Sequence, residues 1–267
     1  MIEHVKSFHG LTKIPFCKSI GTDQLYECTP HNELIARLEM ALQTDDLALV
    51  TGASGSGKSS ALRRFADTLD PITHPYAYIT SERYRIGELC KVILSAFKLE
   101  VPFHGYVALS QLKKEIEKWH KDKNAKPVII IDEAQELLPK TLLSLKNLTN
   151  YEMDSNPNVL IILCGHNELD TTIGMTHFES LARRIRIRYR VNNLNLNDIS
   201  TYIRHQLDRC GSKKEIFAEE AIASMYNSTK GNISLINNIC FGSLIASASE
   251  NSPIIGQGIV EKVQSGM

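Results

Sequence analysis

"LALVTGASGSGKSSALRRF", residues 47–65, is an apolar run that breaks into glycine and small residues and then turns basic. "LALVT" (47–51) reads as a short strand, and the segment after Lys58 reads as a helix. Between them Gly52, Gly57, Lys58 and Ser59 fit the spacing G-x-x-x-x-G-K-S/T. The order has a physical reason. Glycines let the backbone wrap phosphate oxygens with its N–H groups turned inward, and the helix N-terminus adds positive potential. The residues expected to form the nucleotide-binding loop run without a break: Gly52, Ala53, Ser54, Gly55, Ser56, Gly57, Lys58, Ser59 and Ser60. Lys58 is expected to reach the terminal phosphates of ATP, and the Ser59 hydroxyl to hold Mg²⁺.

Working outward, "HNELIARLEMAL" (31–42) has helical spacing, "YAYIT" (76–80) reads as a strand, and "IGELCKVILSAFKL" (86–99) reads as a helix. A charged helix over 106–123 leads to "PVIIIDE" (127–133), an apolar run of the kind found in strands buried on both faces. A helix is expected over 139–152, a further buried strand over 158–165, and a strand with one solvated face over 184–191. Strands alternating with helices imply βαβ units, hence an α/β fold with a five-stranded parallel sheet. After "NNLNLND" (192–198) only helical patterns follow: 198–209, 218–228, 232–249 and 257–264. The expected organisation is an N-terminal arm (1–30), a phosphate-loop α/β core (31–194) and a small all-helical C-terminal domain (195–267).

Composition narrows the function classes. The 267 residues carry 30 Lys+Arg and 30 Asp+Glu, so any polyanion must bind a local patch and not a whole-molecule field. There is neither an apolar run near the ~20 residues of a membrane span nor an apolar signal core at the start. The six cysteines are scattered, without a C-x-x-C pair, which suits reduced thiols. A cytoplasmic location without membrane attachment is therefore expected.

"VIIIDE" places Asp132 and Glu133 at the tip of a buried strand. Asp132 is expected to hold the metal, directly or through water, and Glu133 to orient and deprotonate an attacking water. Beside a phosphate loop, this pair argues for hydrolysis of ATP and against small-molecule kinases.

These motifs together resemble the ExeA-like branch of the AAA+ ATPases. The resemblance extends over "FHGLTKIPF" (8–16), "GASGSGKS" (52–59), "VIIIDEAQ" (128–135), "IILCGHNEL" (161–169), "LARRIRIRYR" (181–190) and "GNISLINNIC" (231–240). Within the branch, "GLTKIPFCKSI" (10–20) looks most like the ATPases encoded beside DDE transposases in bacterial mobile elements. That likeness implies an AAA+ core with a helical lid, ATP and Mg²⁺ as cofactors, and a homo-oligomer, as a ring or helical filament, on double-stranded DNA. It further implies regulation of transposition by recruiting or activating a DDE-type transposase or an adaptor protein. The alternative is an ExeA-like ATPase of a secretion or envelope assembly system, whose members carry a transmembrane segment and a further domain.

The resemblance also assigns residues. His166, with Asn167 beside it, occupies the place of the γ-phosphate sensor, although a polar loop at a strand end accounts for the same pair. Arg184, with Arg183 as neighbour, is the expected arginine finger acting on the adjacent subunit's nucleotide. In "SERYRIGE" (81–88), Arg83 and Arg85 are expected to contact DNA phosphates and Tyr84 a sugar, with a solvated loop nearly as good an account. One departure stands out: "KGNISLIN" (230–237) has Ser234 where the family's lid usually has arginine, so slow hydrolysis or reliance on a neighbouring subunit is expected.

Overall fold

The computed structural model describes residues 1–17, 20–151 and 157–266. In chain order the elements are α1 (Ile2–His9), α2 (Thr29–Thr44), β1 (Leu47–Gly52), α3 (Lys58–Thr68), β2 (Tyr76–Thr80), α4 (Ile86–Ala96) and α5 (Gly105–Lys123). They continue through β3 (Val128–Asp132), α6 (Pro139–Ser144), β4 (Leu160–Gly165), α7 (Asn167–Ile173), α8 (Glu179–Ala182) and β5 (Ile185–Val191). Four helices close the chain: α9 (Leu196–Asp208), α10 (Glu219–Thr229), α11 (Ile233–Ser249) and α12 (Gln257–Ser265). The chain divides into two compact units, one of residues 31–52 and 58–191, the other of residues 1–30, 53–57 and 192–267.

The first unit is built on a five-stranded sheet of order β2-β3-β4-β1-β5, with every pair parallel. Successive strand side chains point to opposite faces, and in β1, β3 and β4 both faces are buried. Leu49, Ile129, Ile131, Ile161 and Leu163 join a core with α4 and α5. Ala48, Val50, Ile130 and Ile162 join another with α2 and α3. This double burial is why those strands are apolar throughout. The helices follow from spacing: Leu34, Leu38 and Ala41 of α2 form one buried stripe, as do Ala108, Leu112 and Ile116 of α5. The edge strands alternate instead; in β2, Ala77 and Ile79 are buried while Tyr76, Tyr78 and Thr80 are not.

One expected helix falls short, and α1, α7 and α8 form where no helix is read from the sequence. The helix read over 139–152 stops at Ser144 and tightens into a 3₁₀ turn over Leu145–Asn147, and Glu152 lies outside the described residues. Leu142, Leu145 and Leu148 are the buried leucines here, a spacing of three that matches three residues per turn.

In the second unit α9 starts at a reciprocal cap: Asp198 N–H donates to Asn195 Oδ1 at 2.9 Å and Asn195 N–H to Asp198 Oδ2 at 3.4 Å. Residues near the N-terminus contribute to this unit's core. Val5, Leu11, Phe16 and Cys28 are buried with Ile203, Leu207, Ile236 and Leu244. The buried His9 lies 3.3 Å from the Leu244 carbonyl through Nε2, and burial lowers its pKa. No helix among the described residues is long and apolar enough to cross a membrane.

Candidate nucleotide and metal site

The site grows from the C-terminal ends of the central strands. β1 ends at Gly52, the loop Ala53–Gly57 follows, and Lys58 opens α3. Gly55 and Gly57 adopt φ of 75° and 92°, a left-handed region that side chains strain to occupy. This is the local reason for glycine at both positions. Ala53–Gly57 cluster with the helical unit, where Asn232 Nδ2 donates to the Ser54 carbonyl at 2.6 Å and Ser234 N–H to the Gly55 carbonyl at 3.2 Å. Lys58 is buried and donates to the Gly52 carbonyl at 2.9 Å.

β3 lies two strands from β1 and ends on Asp132. Asp132 Oδ2 accepts Ser59 Oγ–H at 3.2 Å and Tyr78 O–H at 2.6 Å, while Oδ1 accepts Glu133 N–H at 2.9 Å. Burial, then the Asp132 charge, raises the Tyr78 pKa, so the phenol stays a donor. Burial and the same carboxylate push the Cys164 thiol well up.

Glu133 has φ 53°, uncommon for a residue with a side chain and costly enough to persist mainly where surrounding structure imposes it. Here Ser81 Oγ–H donates to the Glu133 carbonyl at 2.5 Å, and Gln135 Nε2 donates to Glu133 Oε2 at 2.6 Å. The same Gln135 accepts His166 N–H through Oε1 at 3.2 Å, and His166 Nε2 lies 3.4 Å from Glu133 Oε2. Asn167 begins α7, and its Oδ1 is buried without a hydrogen-bond partner.

Lys58, Ser59, Asp132, Glu133 and His166 are thus drawn to one end of the sheet. The ligating atoms that Ser59 and Asp132 offer are oxygens, which suits a hard cation such as Mg²⁺. Among the described residues no cluster of three or more His, Cys, Asp or Glu offers another metal site. Gln135, Tyr78 and Ser81 were not assigned roles from sequence. Gln135 carried a weak signal, sitting two residues past Glu133; Tyr78 carried none.

Arg184 lies at the other end of the sheet. It precedes β5, which runs parallel to β1 in the register Leu47↔Ile185, so it sits beside Asp46. Its NH1 donates to Thr149 Oγ1 at 2.8 Å and lies 3.5 Å from Asp46 Oδ2, with both side chains 20% exposed. Asp46's pKa is raised by burial, partly offset by Thr149 and the Arg184 charge. Arg183 is 78% exposed and pairs with Glu179 at 2.5 Å. After β2, Arg83 and Arg85 are exposed, whereas Tyr84 packs partly against the core and its carbonyl accepts Thr141 Oγ1–H at 2.7 Å.

The family model for an AAA domain matches residues 41–173. The chain is 31% identical over 255 residues to general secretion pathway protein A of Aeromonas hydrophila, covering 94% of this chain but only 46% of that protein. Among solved structures it is similar to Cdc6p of Pyrobaculum aerophilum, with a TM-score of 0.72 at 16% identity, covering 98% of this chain and 70% of the other. It is also similar to Drosophila ORC bound to DNA, with a TM-score of 0.71 at 14% identity, covering 99% and 66%. The fold is that of the AAA P-loop NTPases, with a five-stranded parallel sheet and a helical C-terminal region.

Proposed function

We propose that this chain, built on the AAA P-loop NTPase fold, binds ATP with Mg²⁺ and hydrolyses it slowly, in an assembly that contributes Arg184 from a neighbouring subunit. The observation that carries the reading is the convergence of Lys58, Ser59, Asp132 and Glu133 on one end of the sheet, with Ser59 Oγ and Asp132 Oδ2 3.2 Å apart. Ser59 and Asp132 would hold Mg²⁺. Bound there, the metal neutralises charge on the phosphates. Lys58 supplies a further positive charge, and the backbone of Gly52–Ser60 supplies N–H donors. Glu133, steadied by Gln135, accepts the proton of the attacking water. His166 and Asn167 report on the terminal phosphate.

The finer reading is a regulator that oligomerises on double-stranded DNA through backbone contacts from Arg83 and Arg85 and recruits or activates a DDE-type transposase or adaptor. Two exposed arginines after β2 support it. A second reading, an ATPase of a secretion or envelope assembly system, is favoured by the relative named general secretion pathway protein A.

Lys58→Ala tests the shared premise. Calorimetric titration with ATP and Mg²⁺ should show binding to the wild type and none to the variant, with an unchanged circular dichroism spectrum. Equal affinity in both would remove Lys58 from the site. Electron microscopy with ATP and duplex DNA then separates the two finer readings, since only the first expects DNA-dependent rings or filaments.

A further inference from the structure

Tyr78 stands on an edge strand, 46% exposed, where a side chain has little packing to do. With Tyr76, Leu62, Arg63 and Ala66 it lines a groove of about 420 Å³ beside α3. Yet its hydroxyl is not left to solvent. In the β2–β3 register Thr80 pairs with Asp132 and Tyr78 with Ile130. Tyr78 is therefore two residues back from Asp132's partner, on the same face of the sheet. From there its O–H reaches Asp132 Oδ2 at 2.6 Å, a short bond of the charge-assisted kind.

Asp132 is consequently held at both oxygens, by Glu133 N–H at Oδ1 and by Tyr78 and Ser59 at Oδ2. These three donors are not equivalent. Glu133 N–H belongs to the adjoining residue and moves with the backbone. Ser59 Oγ is itself a metal ligand in the proposed function, so its bond to Asp132 must adjust when the metal binds. Tyr78 is the donor to Oδ2 that can keep its place throughout.

We infer that Tyr78 is a positioning residue for the metal site: its hydroxyl locks the Asp132 carboxylate in the orientation that receives Mg²⁺. The inference rests on the proposed Mg²⁺–nucleotide reading. Without the hydroxyl, Oδ1 stays on Glu133 N–H but Oδ2 is held by Ser59 alone, so the broad terminal torsion of the carboxylate is less restrained and the metal binds a less organised pair.

Tyr78→Phe removes the donor while retaining the ring that lines the groove. Binding of the non-hydrolysable fluorescent analogue mant-AMPPNP is measured in EDTA and across a Mg²⁺ titration. The half-saturating Mg²⁺ concentration should rise about tenfold or more, the lower end of the worth of a hydrogen bond to a charged group, while affinity in EDTA and Tm stay as in the wild type. In turnover, KM for Mg²⁺ should rise with kcat at saturating Mg²⁺ held within about twofold. An unchanged Mg²⁺ midpoint overturns the inference, and so does a parallel loss of affinity in EDTA, which marks a structural role. Failure of the wild type itself to bind the analogue refutes the nucleotide reading and takes this inference with it.

Discussion

Gln135 spans Glu133 and His166 with one amide: its nitrogen donates to Glu133 Oε2 at 2.6 Å and its oxygen accepts His166 N–H at 3.2 Å. The group proposed as general base is thereby tied to the group proposed as phosphate sensor. A Gln135→Ala change should lower kcat roughly tenfold, the scale of one lost hydrogen bond to a charged group. KM for ATP should change little, because the hydrogen bonds of the amide go to Glu133 and His166. Steady-state kinetics checks this, and an unaffected kcat would leave Gln135 as a structural bridge alone.

Glu133→Gln should bind ATP and Mg²⁺ normally and lose at least about a hundredfold in turnover, since an amide cannot accept the water's proton. Any DNA complex that depends on bound ATP should last longer with this variant than with the wild type. Nucleotide binding by calorimetry beside phosphate release decides it, and normal release would exclude Glu133 as the base.

Arg184 precedes β5 and so sits at the end of the sheet away from the phosphate loop, which follows β1. Six residues of β1, at ~3.3 Å each, put about 20 Å between the two ends. A side chain there does not serve its own subunit's nucleotide. Arg184→Ala should therefore impair hydrolysis only in the assembled state, and mixing it with Glu133→Gln chains should restore part of the activity. Loss of the ion pair to Asp46 should also lower Tm by a few degrees, so Asp46→Asn serves as the control. If Asp46→Asn depresses assembled activity as much as Arg184→Ala, the arginine acts through folding and not in trans.

A neutral chain with two exposed arginines after β2 has few charges to offer DNA. Binding should then require ATP-dependent assembly, which multiplies weak contacts along one duplex. The double change Arg83→Ala/Arg85→Ala should weaken DNA binding and flatten its salt dependence, by about two phosphates per subunit, without altering ATP affinity. Tyr84 is packed partly into the core, so its truncation should cost stability as well. Anisotropy titrations across a salt series provide the measurement; tight ATP-independent binding by single chains would contradict it.

Cys17 is exposed and the other five cysteines are buried. At pH 8 a disulfide reagent should label Cys17 alone in the native protein and all six on denaturation. Burial pushes the Cys90 thiol up to about 12 from 9.0. Between those values the unfolded chain has lost this proton and the folded chain has kept it, so stability falls as pH rises above 9. The stability advantage of wild type over Cys90→Ala should shrink by roughly 1 kcal/mol between pH 8 and 10, measured by urea unfolding at each pH. A constant advantage would mean that the thiol ionises alike in both states.

What the amino-acid sequence determined by itself is whatever depends on neighbours in the chain. The glycine spacing of the phosphate loop, the apolar run ending in Asp132 and Glu133, and the stripes of α2 and α5 are each set within one turn or one strand. Backbone geometry converts such local patterns directly into elements and motifs. The contraction of α6 into a 3₁₀ turn was legible only as a leucine spacing of three, too short to outweigh a helical reading. Tertiary structure alone decided which side chains meet. Tyr78 and Asp132 are 54 residues apart, Gln135 and His166 are 31, and Arg184 and Thr149 are 35. Their contacts come from the register of parallel strands whose connections pass through helices and loops. One residue of slip between β2 and β3 would put Tyr78 and Asp132 on opposite faces of the sheet.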